Sequence, residues 1–148
     1  MKRNIRYKVW ETNSSSVHAL YVDHKGLQKN HLKRKDGYVI ADFGQFGKEY
    51  NLYMDQDTKL SYLLTEIFYV NHYSEDIEET SSFEYLEEAI KDYDPTIKGI
   101  KVLKKITPEI DHQSIPSYGE SNFVNYWDKS SIQNFLFNKY IGFTTDCD

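Results

Sequence analysis

Leu60, Leu63, Leu64 and Ile67 recur at i, i+3, i+4 and i+7, and no other feature limits the fold of this chain so strongly. Asp55 or Asp57 is placed to cap the helix they define, which runs to about Tyr69. A second helix is expected from Ser81, where Ser81-Ser82-Phe83-Glu84 forms a capping box and Phe83, Leu86, Ile90 and Tyr93 make an apolar stripe. Asp94-Pro95 ends it.

Two apolar helix faces need a surface to cover them, and the flanking sequence reads as strands. Ile5, Tyr7 and Val9 alternate with Arg6, Lys8 and Trp10, a strand with one buried face over Lys2 to Trp10. Val17 to Val22 is apolar on both faces and reads as an interior strand. A third strand is expected over Tyr38 to Phe43, ended by a bend at Gly44 and Gly47 that folds Phe43, Phe46 and Tyr50 back on the core. Beyond the helices come a strand or strand pair over Ile97 to Ile106 and a polar linker from Thr107 to about Ser121. A short helix over Ser130 to Phe137 and a closing strand over Tyr140 to Thr145 complete the chain. The order β-β-β-α-α-β-α-β implies one α+β domain over residues 1–148, with a mixed or antiparallel sheet and two to three helices.

A chain of 148 residues can bury a core without disulfides, and 13 Tyr, 8 Phe and 2 Trp supply large apolar surfaces for it. No run approaches the roughly 18 to 20 apolar residues of a membrane span, and Met-Lys-Arg-Asn is not followed by a signal-peptide core, so a cytoplasmic protein is expected. The single cysteine, Cys147, rules out an intrachain disulfide. The histidine spacings signal no zinc site, and no glycine-rich phosphate loop occurs, so no metal or cofactor is expected.

Three groups of residues invite a functional reading. The first is Glu11-Thr12-Asn13-Ser14-Ser15-Ser16-Val17-His18, between the first two strands. Asn13, Ser14, Ser15 and Ser16 supply hydroxyls and turn amides suited to an anion, and Ser15 with His18 offers the materials of nucleophilic or acid–base catalysis. No nucleophile-elbow pattern surrounds these serines, and the plainer reading is a strand-to-strand turn with a half-core histidine. His112, between Asp111 and Ser114, gains weight as a partner only if it packs near His18.

The second group is acidic. Glu75, Asp76, Glu78, Glu79, Glu84, Glu87, Glu88 and Asp92, with Asp94, are opposed only by Lys91 between Ser74 and Asp94. Carboxylates spaced along a helix imitate a phosphate backbone and suit the basic nucleic-acid groove of another protein; the plainer reading is a solvated helix face. The third is basic: residues 1–35 hold nine Lys/Arg against Glu11 and Asp23, although the whole chain has a net charge of −5. Lys33, Arg34 and Lys35 leave a local nucleic-acid contact open, but the overall charge argues against a general nucleic-acid binder.

Three blocks, "VWETNSSSVHALYV", "GQFGKEYNLYMDQDTKLSYLLTEIFY" and "IQNFLFNKYIGFTTDCD", together about half the chain, resemble a family of small bacteriophage and prophage proteins. The family pattern is an N-terminal strand leading into Glu-Thr-Asn-Ser-Ser-Ser-x-His, a Gly-x-Phe-Gly turn, and a Thr-Lys-x-Ser-Tyr-Leu helix. Residues 11–18, Gly44 to Gly47 and Thr58 to Leu63 match it. The family's last strand is followed by Asn-Asp, where Asp146-Cys147-Asp148 stands here. The resemblance implies a phage setting, in which small acidic proteins are often anti-CRISPR or other anti-defence inhibitors. The first expectation is therefore an inhibitor, not an enzyme, that blocks a host nuclease or CRISPR effector through its acidic surface. The alternatives are a small enzyme or nucleotide/anion-binding protein with its site at residues 13–18, and a phage structural or assembly accessory.

Overall fold

The computed structural model describes residues 2–6, 16–27, 31–47, 50–111, 114–117 and 120–147. In chain order the elements are β1 (Lys2–Arg6), β2 (Ser16–Asp23), β3 (Arg34–Lys35), β4 (Tyr38–Ala41), β5 (Gln45–Phe46), β6 (Asn51–Tyr53), α1 (Gln56–Val70), α2 (Ser81–Tyr93), β7 (Gly99–Val102), β8 (Glu109–Ile110), α3 (Lys129–Phe137) and β9 (Ile141–Cys147). A 3-10 turn lies at Ile77–Glu79. This is the mixed α+β fold expected from the sequence.

Helix α1 starts where Asp55 accepts a hydrogen bond from the Thr58 amide, so Asp55 and not Asp57 is the cap. The apolar row does go inward, but so does most of the rest: ten of the fifteen residues are buried, including Lys59, Tyr62, Thr65 and Glu66. The helix is therefore central to the molecule rather than laid on its surface, and its polar side chains must find partners inside. Helix α2 begins at Ser81 as expected, but its cap is the residue before the expected box, Thr80, which accepts from the Phe83 amide, and it ends at Tyr93 just before Asp94-Pro95.

The strands form three small sheets in place of one. The largest runs β1-β2-β9-β6 and is antiparallel throughout, with Leu20 opposite Phe143 and Ala19 opposite Thr144. Strand β2 lies inside it, as its two apolar faces require. Strands β3-β4-β7 form the second sheet, in which β4 and β7 are parallel and the crossover between them carries α1 and α2. The third is the short parallel pair β5 and β8, set within the glycine bend and the stretch expected to be a polar linker. Residues 7–10 of the first expected strand lie outside the described residues.

Phe143 on β9 is the hub of the core. It is fully buried, and the rings of Tyr62, Tyr53, Phe123, Phe46 and Phe135 surround it at centroid distances from 4.7 to 6.0 Å. The neighbouring Gly142 has no space for a side chain, since a Cβ there would run into the Tyr53 carbonyl and the Met54 sulfur. Lys59 threads its stem through this core. Its ammonium donates to the carbonyls of Ile141 (2.8 Å) and Asn138 (3.3 Å), fastening α1 to the turn that leads into β9. Burial lowers its pKa to about 8, against the pull of Asp55.

Candidate functional site

Of the opening segment, Asn13, Ser14 and Ser15 lie outside the described residues, as does His112, and Ser16 opens β2 opposite Cys147. His18 is two residues further along β2, buried under the edge of Tyr62, with Nδ1 2.6 Å from the Tyr62 hydroxyl. Asn122 joins the pair: its amide nitrogen donates both to the Ser114 carbonyl (2.7 Å) and to the Tyr62 oxygen (2.9 Å). The other ring nitrogen of His18 is Nε2.

That Nε2 faces Gly47 and Asp111, the residue before His112. Gly47 has φ of +102°, and a Cβ there would stand 3.2 Å from Nε2 and 2.9 Å from the Asp111 Cβ, so glycine lets the histidine and aspartate approach. Burial lowers the His18 pKa to about 4, and Asp111 offsets only part of that. The ring is neutral at neutral pH and too weak a base to match the acid–base role considered for it.

The same network continues on α1. Glu66, one turn beyond Tyr62, is fully buried and accepts from the Ser121 hydroxyl (2.5 Å), the Asn122 amide (2.8 Å) and the Tyr126 hydroxyl (3.3 Å). Burial pushes its pKa up to about 7 despite these donors. Tyr62 and Tyr126 are both pushed well up by burial and stay protonated. His18, Tyr62, Asn122, Glu66, Ser121 and Tyr126 thus form one internal lattice that holds Ser114 and residues 121–126 against α1. Apart from His18, none was singled out from sequence. The signal was available only as Tyr62 and Glu66 at i and i+4 on a helix with no free face.

The acidic residues divide into two sets. Glu87 is half-buried and accepts from the Ile100 amide (2.9 Å), so it fastens α2 to β7 and is not a free surface charge. Lys104 pairs with Glu78 (2.8 Å), and Lys129 with Asp92 (2.8 Å) and more loosely with Glu88 (3.8 Å). Arg34 pairs with Asp94, which takes one charge out of the Lys33-Arg34-Lys35 basic cluster. Glu75, Asp76, Glu79 and Glu84 remain exposed, with no ion pair among the described residues.

Aromatic rings stand among these carboxylates. Tyr85 and Trp127 are exposed and meet edge to face at 4.8 Å, and at the other end of α2 Tyr93 stacks on Phe137 at 3.8 Å. Glu88, Lys129 and Asp92 lie between the two ring pairs. Trp127 was missed in the sequence because it joins α2 only through folding.

Among the described residues no group of three or more potential metal ligands converges, and no helix is long and apolar enough to cross a membrane. Comparison of the chain with protein-family models, with curated proteins and with solved structures finds no match.

Proposed function

We propose that this chain is a binding protein whose α2 face occupies a basic groove of a nucleic-acid-handling protein, with the setting suggested by the sequence resemblance, a phage inhibitor of a host defence nuclease or CRISPR effector. One observation carries the reading: an exposed Tyr85–Trp127 pair set among Glu84, Glu88 and Asp92. Tyrosine and tryptophan give large, rigid contact area and dominate the binding energy of many interfaces, while a surrounding rim of one charge steers and orients the partner. Carboxylates around aromatic anchors select a partner surface rich in Lys or Arg. Glu88 and Asp92 already share Lys129, so the partner's cations have most to gain at Glu84, Glu79, Asp76 and Glu75.

The competing reading, chemistry or anion capture at residues 13–18, is less favoured because its histidine is buried and neutral. The test is a panel of purified CRISPR effectors and restriction nucleases assayed for DNA cleavage with this protein added. Near-stoichiometric inhibition of at least one is expected, with Trp127→Ala weakening it about tenfold or more and Glu84→Lys increasing its sensitivity to salt. Glu87→Lys is a poor test, since it breaks the bond to β7. Inhibition of none, or inhibition indifferent to Trp127→Ala and Glu84→Lys, contradicts the proposal.

A further inference from the structure

A cavity of about 490 Å³ opens at the C-terminal end of α1, within the range of about 300–1,000 Å³ usual for small-molecule sites. Its floor is aromatic: Phe43 and Phe68 lie 5.5 Å apart, and Tyr69 packs edge-on to Phe68 at 5.2 Å. Tyr69 donates its hydroxyl to the Pro108 carbonyl (3.1 Å), which leaves its ring as lining. Lys104 and Lys105 stand along one wall, and Glu75 is also at the cavity.

The lysine wall is held firmly. Asp42 accepts from the Lys105 amide (3.1 Å) and the Ile106 amide (3.4 Å), and the backbone of Lys104 is in the left-handed region, with φ of +58°. A non-glycine residue keeps that conformation only where its surroundings enforce it, and such residues concentrate at ligand clamps. Lys104 already holds Glu78, whereas Lys105 is exposed and makes no ion pair among the described residues.

We infer that this cavity binds a nucleoside monophosphate, the base packing against the aromatic floor of Phe43, Phe68 and Tyr69 and the phosphate meeting Lys105. Planar heterocycles stack on aromatic side chains whatever their sequence context. The Lys105 ammonium, in no ion pair among the described residues, is the cation for a phosphate, and the Glu75 carboxylate is an acceptor for an exocyclic amino group. This site shares only Glu75 with the acidic surface and neither of its aromatic anchors, Tyr85 and Trp127, and it stands or falls without them.

The test is titration calorimetry of the intact protein with adenosine 5′-monophosphate, adenosine and ribose 5-phosphate. Saturable binding of the monophosphate is expected, with adenosine and ribose 5-phosphate each at least tenfold weaker. Lys105→Glu, an exposed substitution that leaves the Asp42 bonds to the backbone in place, should weaken the monophosphate at least tenfold, and Glu84→Lys should leave it unchanged. No saturable binding of the monophosphate at millimolar concentration overturns the inference. So does equal binding by Lys105→Glu, or ribose 5-phosphate binding as tightly as the monophosphate.

Discussion

Truncation of Phe143 to alanine is expected to cost about 3–5 kcal/mol, enough to leave little of the stability a domain of this size normally has. The side chain is fully buried, with five aromatic rings around it contributed by α1, α3, β5, β6 and the segment before α3, so no single neighbour can move in to fill the space. Equilibrium urea denaturation with circular dichroism gives the measurement. Phe143→Leu, which keeps more of the volume, should cost clearly less; equal losses for the two would show that the rings do not pack around this position as described.

The second large effect is hidden in the wild type because two buried groups oppose each other. The His18 pKa falls from 6.5 to about 4 on folding, so between these values the unfolded chain binds more protons and stability drops as pH falls. The Glu66 pKa rises from 4.5 to about 7, so between those values the folded chain binds more protons and stability drops as pH rises. Each shift is worth about 3 kcal/mol, and the two slopes nearly cancel from pH 4.5 to 6.5. The groups facing them are Asp111 beside His18 and Tyr62 and Tyr126 beside Glu66.

Glu66→Gln removes one arm. Its carbonyl can accept from the Asn122 amide while its NH2 donates to the Ser121 and Tyr126 hydroxyls, so the fold is retained. Relative to wild type, this variant should lose up to about 3 kcal/mol as pH falls from 7 to 4.5. His18→Asn, whose side-chain oxygen can accept the Tyr62 proton, should show the opposite trend and lose stability as pH rises from 4 to 6.5. Denaturation at several pH values, compared with wild type at each, reads both differences and cancels the background of surface carboxylates. Two variants with parallel profiles would contradict the assignment.

Much of the fold was legible because it rests on periodicity. The rows on α1 and α2, the two-faced apolar strand β2 and the closing strand β9 each carry their own pattern over several residues. β5, β6 and β8 do not. They span two or three residues each and exist because β9 or a partner strand offers free backbone groups, which no local pattern records. For the same reason the single expected sheet became three.

The site was less legible, because burial decides the chemistry of its residues. Glu66 and Glu87 read in sequence like any helical carboxylate, yet one lies fully inside the molecule and the other is bound to a strand amide. His18 was conspicuous for its neighbours Ser14 to Ser16, but its environment is set by Tyr62, 44 residues away. Trp127 and Tyr85 likewise meet only in three dimensions.

Displacement tests the proposed function most directly. With a nuclease from the panel held on fluorescently labelled DNA, addition of this protein should release the DNA at near-stoichiometric ratio, and the Trp127→Ala, Glu84→Lys double variant should not. DNA that stays bound while cleavage stops, or that is released equally by the double variant, would contradict occupation of the basic groove by the α2 face.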